Sequence, residues 1–152
     1  MNWEDWHVPD PAPGEVRMRH TAVCVNYADT YHRGGVSHPW PMPDELVVIG
    51  FAGVGVVEGV GDGVTDFKTG DRVAYGIPPL GSYPEARNYP ADKLLHLPDG
   101  LDDKKVSALL IKGVTAHFLL HRTYAVQPGD TILVHAAAGG MGSVADRGGI
   151  LR

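Results

Sequence analysis

Four side chains that can bear chemistry crowd into NYADTYHRGG: Asn26, Asp29, Tyr31 and His32. An amide, a carboxylate and a phenol on one short turn are the hydrogen-bonding groups that orient a ligand inside a pocket. The same residues also suit purely local roles. Asn26 or Asp29 can cap a helical turn that Gly34–Gly35 ends, while Tyr31 packs. Residue types alone leave both readings open.

A second centre is the run AAAGGMG, which ends in Gly139, Gly140, Met141 and Gly142 and follows the apolar TILVHA. Glycines after a buried strand let backbone N–H groups approach a pyrophosphate at the start of the next helix. A dinucleotide site also needs that helix, a second strand and a side chain that reads the ribose. SVADRGGILR is too short and too interrupted by glycine to supply them, and it reads as a frayed tail. Lys112 and Thr115, in KGVT, either face a cleft or are a solvated lysine and a capping threonine.

Other chemistries find less support. The chain has eight histidines and one cysteine, Cys24, but neither H-E-x-x-H nor C-x-x-C, so no metal site is expected. His32 and His38 read as solvated loop residues. No G-x-S-x-G is present. The adjacent Asp102 and Asp103 read as helix-start residues rather than an acid–base pair.

Short β-branched stretches between glycine and proline turns must position these groups. VRMRHTAVCVN alternates, with Val16, Met18, His20, Ala22 and Cys24 on one face. Val23 and Val25 make the other face apolar towards its end, which predicts that the strand enters the interior there. LVVIGFAGVGVVEGVG carries too many glycines for a helix and reads as a strand with bulges or close backbone approaches. DRVAYG and GSYPEARNYPADKLLHLP supply further short strands, with Pro84 confined to an edge or bulge. Helical spacing then predicts two helices, over 103–110 and 114–123, with a break at Lys112–Gly113. TILVHA reads as a continuous buried strand of the parallel type.

The totals are consistent with one domain and part of another: 152 residues, 43% hydrophobic and 20% charged. A net charge of −5 argues against a nucleic-acid footprint. No apolar run reaches the roughly 20 residues of a membrane span. The first residues lack the layout of a signal peptide, and a single cysteine permits no internal disulfide. A cytoplasmic protein is expected.

Taken together, VNYADTYHRGG, GVGVVEGVGDGVTDFKTGDRVAY, GSYPEARNYPADKLLHLPDGLDD and IKGVTAHFLLHRTYAVQPGDTILVHAAAGGMG resemble, in this order, the zinc-free NADPH:quinone oxidoreductases of the medium-chain dehydrogenase/reductase superfamily. The resemblance implies a mainly β (α+β) fold. A GroES-like partial β-barrel domain over 1–125 would precede two helices and the first strand and glycine loop of a truncated Rossmann domain, 126–152. It implies hydride transfer from NADPH to a quinone or enone. Asn26, Asp29 and Tyr31 would line the nicotinamide and substrate pocket, with Lys112 and Thr115 across the cleft. Asn26, Tyr31, Thr115, Gly139, Gly140, Met141 and Gly142 would contact the cofactor. Zinc-dependent relatives carry a cysteine near Asn26 and a His-Glu pair near Phe51–Ala52, so no zinc is implied.

Three departures bear on function. The start looks internal to the family pattern, Ala52 stands where a glutamate is usual, and Ser143–Arg152 does not continue the family's apolar helix. A piece of a longer reductase is therefore expected, with little or no activity alone and a tendency to self-associate through exposed strand edges. The alternatives are an enzyme completed by another chain and a non-enzymatic GroES-like binding module.

Overall fold

The computed structural model describes residues 4–5, 7–35 and 48–145. The proline-rich loop with His38, the start of LVVIG and the tail beyond Ala145 lie outside them. The chain forms two compact units, Met1–Ser107 and Ala108–Arg152.

The first unit is built on a five-stranded antiparallel sheet: β1 (Glu15–Cys24), β2 (Ala52–Val60), β3 (Arg72–Tyr75), β4 (Ala86–Pro90) and β5 (Leu95–His96), in the order β4-β1-β2-β3-β5. Alternation in β1 turns Val16 and Met18 fully inward. They join Val57, Phe67, Val73, Tyr75, Tyr89 and Leu94 in the core. Pro84 precedes β4, which lies at the sheet edge.

The glycines of β2 are where backbones crowd. A Cβ at Gly55 would lie 2.2 Å from the Arg19 carbonyl oxygen, and one at Gly53 would lie 2.8 Å from the His20 ring. The β1–β2 register slips between Arg17 and Met18 and again between His20 and Ala22. The expected bulges and close approaches are both present.

Val25 does not enter the interior; it is 74% exposed, and Val23 is also exposed. The β4 ladder ends at Arg19↔Ala86, with one further bond from the His20 N–H to the Glu85 carbonyl, so among the described residues the end of β1 beyond His20 pairs with β2 alone and forms a rim.

α1 (Tyr27–Arg33) follows that rim. α2 (Asp103–His117) begins at a cap in which Asp102 Oδ1 accepts the Lys105 N–H at 2.9 Å. Asp103 does more than start the helix. It accepts a hydrogen bond from the Thr21 hydroxyl at 2.6 Å and pairs with Arg72, and these contacts, the Thr21 bond first, hold its carboxyl below the usual range.

α2 runs through Lys112–Gly113 without the expected break and passes into a π-helical segment, Phe118–Thr123. An interior glycine costs only about 1 kcal/mol, too little to interrupt fifteen residues. TILVHA is neither a strand nor buried. Thr131–Val134 is irregular, and Leu133 is 83% exposed. A parallel strand needs neighbours for its backbone groups, and no described segment pairs with it. A turn then leads into α3 (Gly140–Ala145), so Ser143–Ala145 is helical where a frayed tail was expected.

Candidate functional site

In the first unit, Asn26 and Asp29 lock the start of α1 to each other. The Asn26 N–H donates to Asp29 Oδ2 at 2.7 Å, and the Asp29 N–H donates to the Asn26 carbonyl at 3.0 Å. The carboxylate three residues into the helix thus satisfies the cap donor, half of a capping box. Gly35, at φ +72°, closes the other end with its N–H on the His32 carbonyl.

Asp29 is 3% exposed. Its Oδ2 also accepts from the Tyr83 hydroxyl at 3.0 Å. Burial, then the bond to Asp29 and its charge, push the Tyr83 phenol up to about 12. Asp29 therefore faces inward and ties α1 to the segment before β4. The Asn26 side chain donates to the Cys24 carbonyl at 3.3 Å, which orients the amide at the rim of β1.

Tyr31 is 45% exposed, and its ring meets Tyr27 edge-on at 5.3 Å. The turn thus divides its labour: Tyr31 is exposed and Asn26 half-buried, while Asp29 anchors. His32 is buried rather than solvated, with its ring parallel to that of Phe51 at 6.5 Å. It lies on the inward side of α1, one turn from Asp29.

Behind the rim, the His20 ring bridges two elements. Nδ1 is 2.7 Å from the Pro84 carbonyl and Nε2 is 2.8 Å from the Tyr75 hydroxyl. A carbonyl only accepts, so Nδ1 carries a proton, and in the neutral ring Nε2 accepts from Tyr75. Burial, and secondarily the Arg87 charge, lower the His20 pKa.

In the second unit, Lys112 Nζ donates to the Ala108 carbonyl at 2.7 Å, and the lysine stem runs over Gly140. A Cβ at Gly140 would meet Lys112 Cε at 2.6 Å. Thr115 lies on the same helix, half-buried. The Gly139 N–H closes a turn onto the Ala136 carbonyl at 2.8 Å, and the Ser143 hydroxyl donates to the Gly139 carbonyl at 2.8 Å. Gly142 is packed so tightly that a Cβ would lie 2.5 Å from the Ala136 oxygen. The structure thus gathers Asn26, Asp29 and Tyr31 in one unit, and Lys112 with Gly139–Gly142 in the other.

Sequence reasoning missed Tyr83 and His20. Each acts across more than fifty residues of chain, and no local pattern marks either one. Among the described residues no group of three or more His, Cys, Asp or Glu side chains is placed to hold a metal ion. None of their helices is long and apolar enough to cross a membrane.

Comparison with known proteins places this geometry. Residues 12–99, more than half of the chain, match the alcohol dehydrogenase GroES-like domain. A 2-haloacrylate reductase from Burkholderia sp. is 51% identical over 144 residues, which are 93% of this chain and 43% of the relative. A crystal structure of a quinone oxidoreductase from Pseudomonas syringae aligns at 46% identity with a TM-score of 0.89, over 95% of this chain and 43% of that one. The Escherichia coli quinone oxidoreductase solved in complex with NADPH aligns at 38% identity with a TM-score of 0.86, over 93% of this chain and 43% of that one. The chain spans less than half the length of these relatives. It belongs to the alcohol dehydrogenase GroES-like domain family.

Proposed function

We propose that the chain is the substrate-side part of an NADPH-dependent reductase of quinones or related enones, with a functional division near residues 125/126. The observation that carries this reading is the α1 turn: exposed Tyr31 and half-buried Asn26 sit on a helix anchored by the contact of buried Asp29 with Tyr83. That is how a site orients a flat carbonyl substrate, with few polar groups on a rigid support.

The donor set fits the pyrophosphate part of NADPH. The amides of Gly140, Met141 and Gly142 lie in the first turn of α3, where a helix offers them no acceptors of its own. Such amides are the partners a phosphate takes. Gly139–Gly142 would hold the pyrophosphate, and in the first unit Asn26 and Tyr31 would orient the substrate. NADPH, when bound, supplies the hydride; the protein positions and screens the reactants. Lys112 supports the loop by lying against Gly140.

The reading assigns the isolated chain little or no turnover, because its relatives bring more than twice its length to the reaction. NADPH oxidation with 1,4-benzoquinone and with a 2-haloacrylate tests it, for the chain alone and co-expressed with a nucleotide-binding domain of the family. A rate on co-expression that Asn26→Ala and Tyr31→Phe reduce supports the reading. A co-expression rate indifferent to both variants overturns it.

A second reading rests on exposed apolar side chains. Val25 and Tyr27 are 74% and 76% exposed beside the rim of β1. They favour a non-enzymatic binding or self-association module, joined through the rim or the β4 edge. Sedimentation velocity across a concentration series separates the cases: self-association predicts a rising mean mass, and a constant monomer excludes it.

A further inference from the structure

The histidines of this chain are not equivalent. His20 has both ring nitrogens engaged, His32 is buried, and His96 has Nε2 at the Asp66 carbonyl and its ring on Phe67. His117 and His121 differ from these. Both are exposed, and no hydrogen bond or ion pair among the described residues engages either ring. They stand four residues apart where α2 passes into the π-helical segment, with ring centroids 4.6 Å apart and planes at 46°.

We propose that His117 and His121 form a two-point surface site for a divalent transition-metal ion, Cu(II) or Ni(II) ahead of Zn(II), which cross-links the end of α2 to the π-helical segment. The spacing supplies the geometry, because residues four apart share one helix face. It is the H-x-x-x-H interval by which helical zinc sites present two imidazoles. With metal–nitrogen bonds of about 2.0–2.1 Å, two imidazoles bound cis hold their centroids roughly 4.5–5 Å apart. The observed 4.6 Å lies in that range.

The donor count selects the metal. Structural zinc takes four protein ligands and catalytic zinc three, and no third donor is grouped here among the described residues. Two cis nitrogens with water in the remaining positions suit the tetragonal preference of Cu(II) and Ni(II), which bind imidazole well. Arg122, the neighbouring residue, does not share the face, since adjacent helical positions point apart.

The junction gives such a cross-link a physical effect. Beyond His117 the backbone bonds widen, with Tyr124 N–H on the Leu119 carbonyl and Val126 N–H on the Leu120 carbonyl, each at 3.1 Å. A π-helical turn is an uncommon, strained form. An ion that holds His117 to His121 favours the folded segment to the extent that it binds the preformed pair more tightly than the histidines of the unfolded chain. The site is remote in sequence from the α1 turn and from Gly139–Gly142, and its role is structural.

The test is a calorimetric titration of the tag-free full chain with copper(II) chloride, with electron paramagnetic resonance to count bound nitrogens. One ion per chain with two imidazole nitrogens is expected. His117→Gln and His121→Gln should each weaken binding by on the order of tenfold or more, since even outer partners of metal ligands cost 10–100-fold. His7→Gln should leave it unchanged. Copper should raise the melting temperature of the parent chain and not of the two variants. Absence of binding by a chain with native circular dichroism overturns the proposal, as does equal affinity in the parent and His117→Gln proteins.

Discussion

The Asp29–Tyr83 contact is the support of the candidate site, and its removal has a calculable effect. In Asp29→Ala, the Asn26 N–H and the Tyr83 hydroxyl lose their shared acceptor at 2.7 and 3.0 Å. Hydrogen bonds to a carboxylate contribute about 1.5–3 kcal/mol each, and a buried donor left unpaired costs about 1–3 kcal/mol. Tyr83 is only half-buried, so water recovers part of its loss. The sum is about 3 kcal/mol of destabilisation. Asp29→Asn is milder, at about 1 kcal/mol, because both bonds fall on the same oxygen, Oδ2, which an amide oxygen can replace as a weaker acceptor. Tyr83→Phe removes only one bond. Urea unfolding of the two single variants and the double variant Asp29→Ala/Tyr83→Phe closes a thermodynamic cycle. A coupling of about 1 kcal/mol or more is expected for groups in direct contact. The phenol supplies an independent readout, since Asp29→Asn should lower the Tyr83 pKa from about 12, read by carbon-13 tyrosine NMR. Additive variants together with an unmoved Tyr83 titration would refute the lock.

Other predictions follow from packing and titration. Gly55→Val should cost about 3 kcal/mol or prevent folding, because its Cβ would strike the Arg19 carbonyl, whereas Gly59→Ala, with open space around it, should stay within about 1 kcal/mol of the parent in urea melts. His20 has its pKa lowered, so the unfolded chain binds its proton more readily. Stability should be full above the unfolded value of 6.5 and fall as pH drops towards the folded one, a dependence that His20→Gln flattens in thermal melts. The Asp103 pKa is also lowered, so a second loss should begin as pH falls below 3.8, and Asp103→Asn should reduce it. At the alkaline end the Tyr83 pKa is raised, so stability should decline between pH 10 and about 12, and less steeply in Tyr83→Phe.

The strands were legible because β-branched residues fall between glycine and proline turns, and the α1 cap was legible because Asn26 and Asp29 stand three residues apart. Gly113 misled because glycine lowers helix stability without forbidding a helix. TILVHA misled because apolar composition states a need for cover and does not provide the neighbouring strands. Val25 misled because alternation gives the face of a strand but not where its ladder ends. The residues of the α1 turn were legible as a cluster; which of them anchors and which is presented was not. That depended on Tyr83, fifty-four residues from Asp29, and on the burial of His32, which a short helix with few residues of its own could not announce.

The most direct measurement is a titration of the purified, folded chain with NADPH, followed by nicotinamide fluorescence. The account predicts that the glycine turn still contributes a phosphate site, so binding should be saturable, weak and abolished by Gly140→Asp, which sets a carboxylate against the phosphate and displaces the Lys112 stem. A folded sample that shows no binding, or binding that Gly140→Asp leaves intact, would contradict the assignment of Gly139–Gly142 to the cofactor.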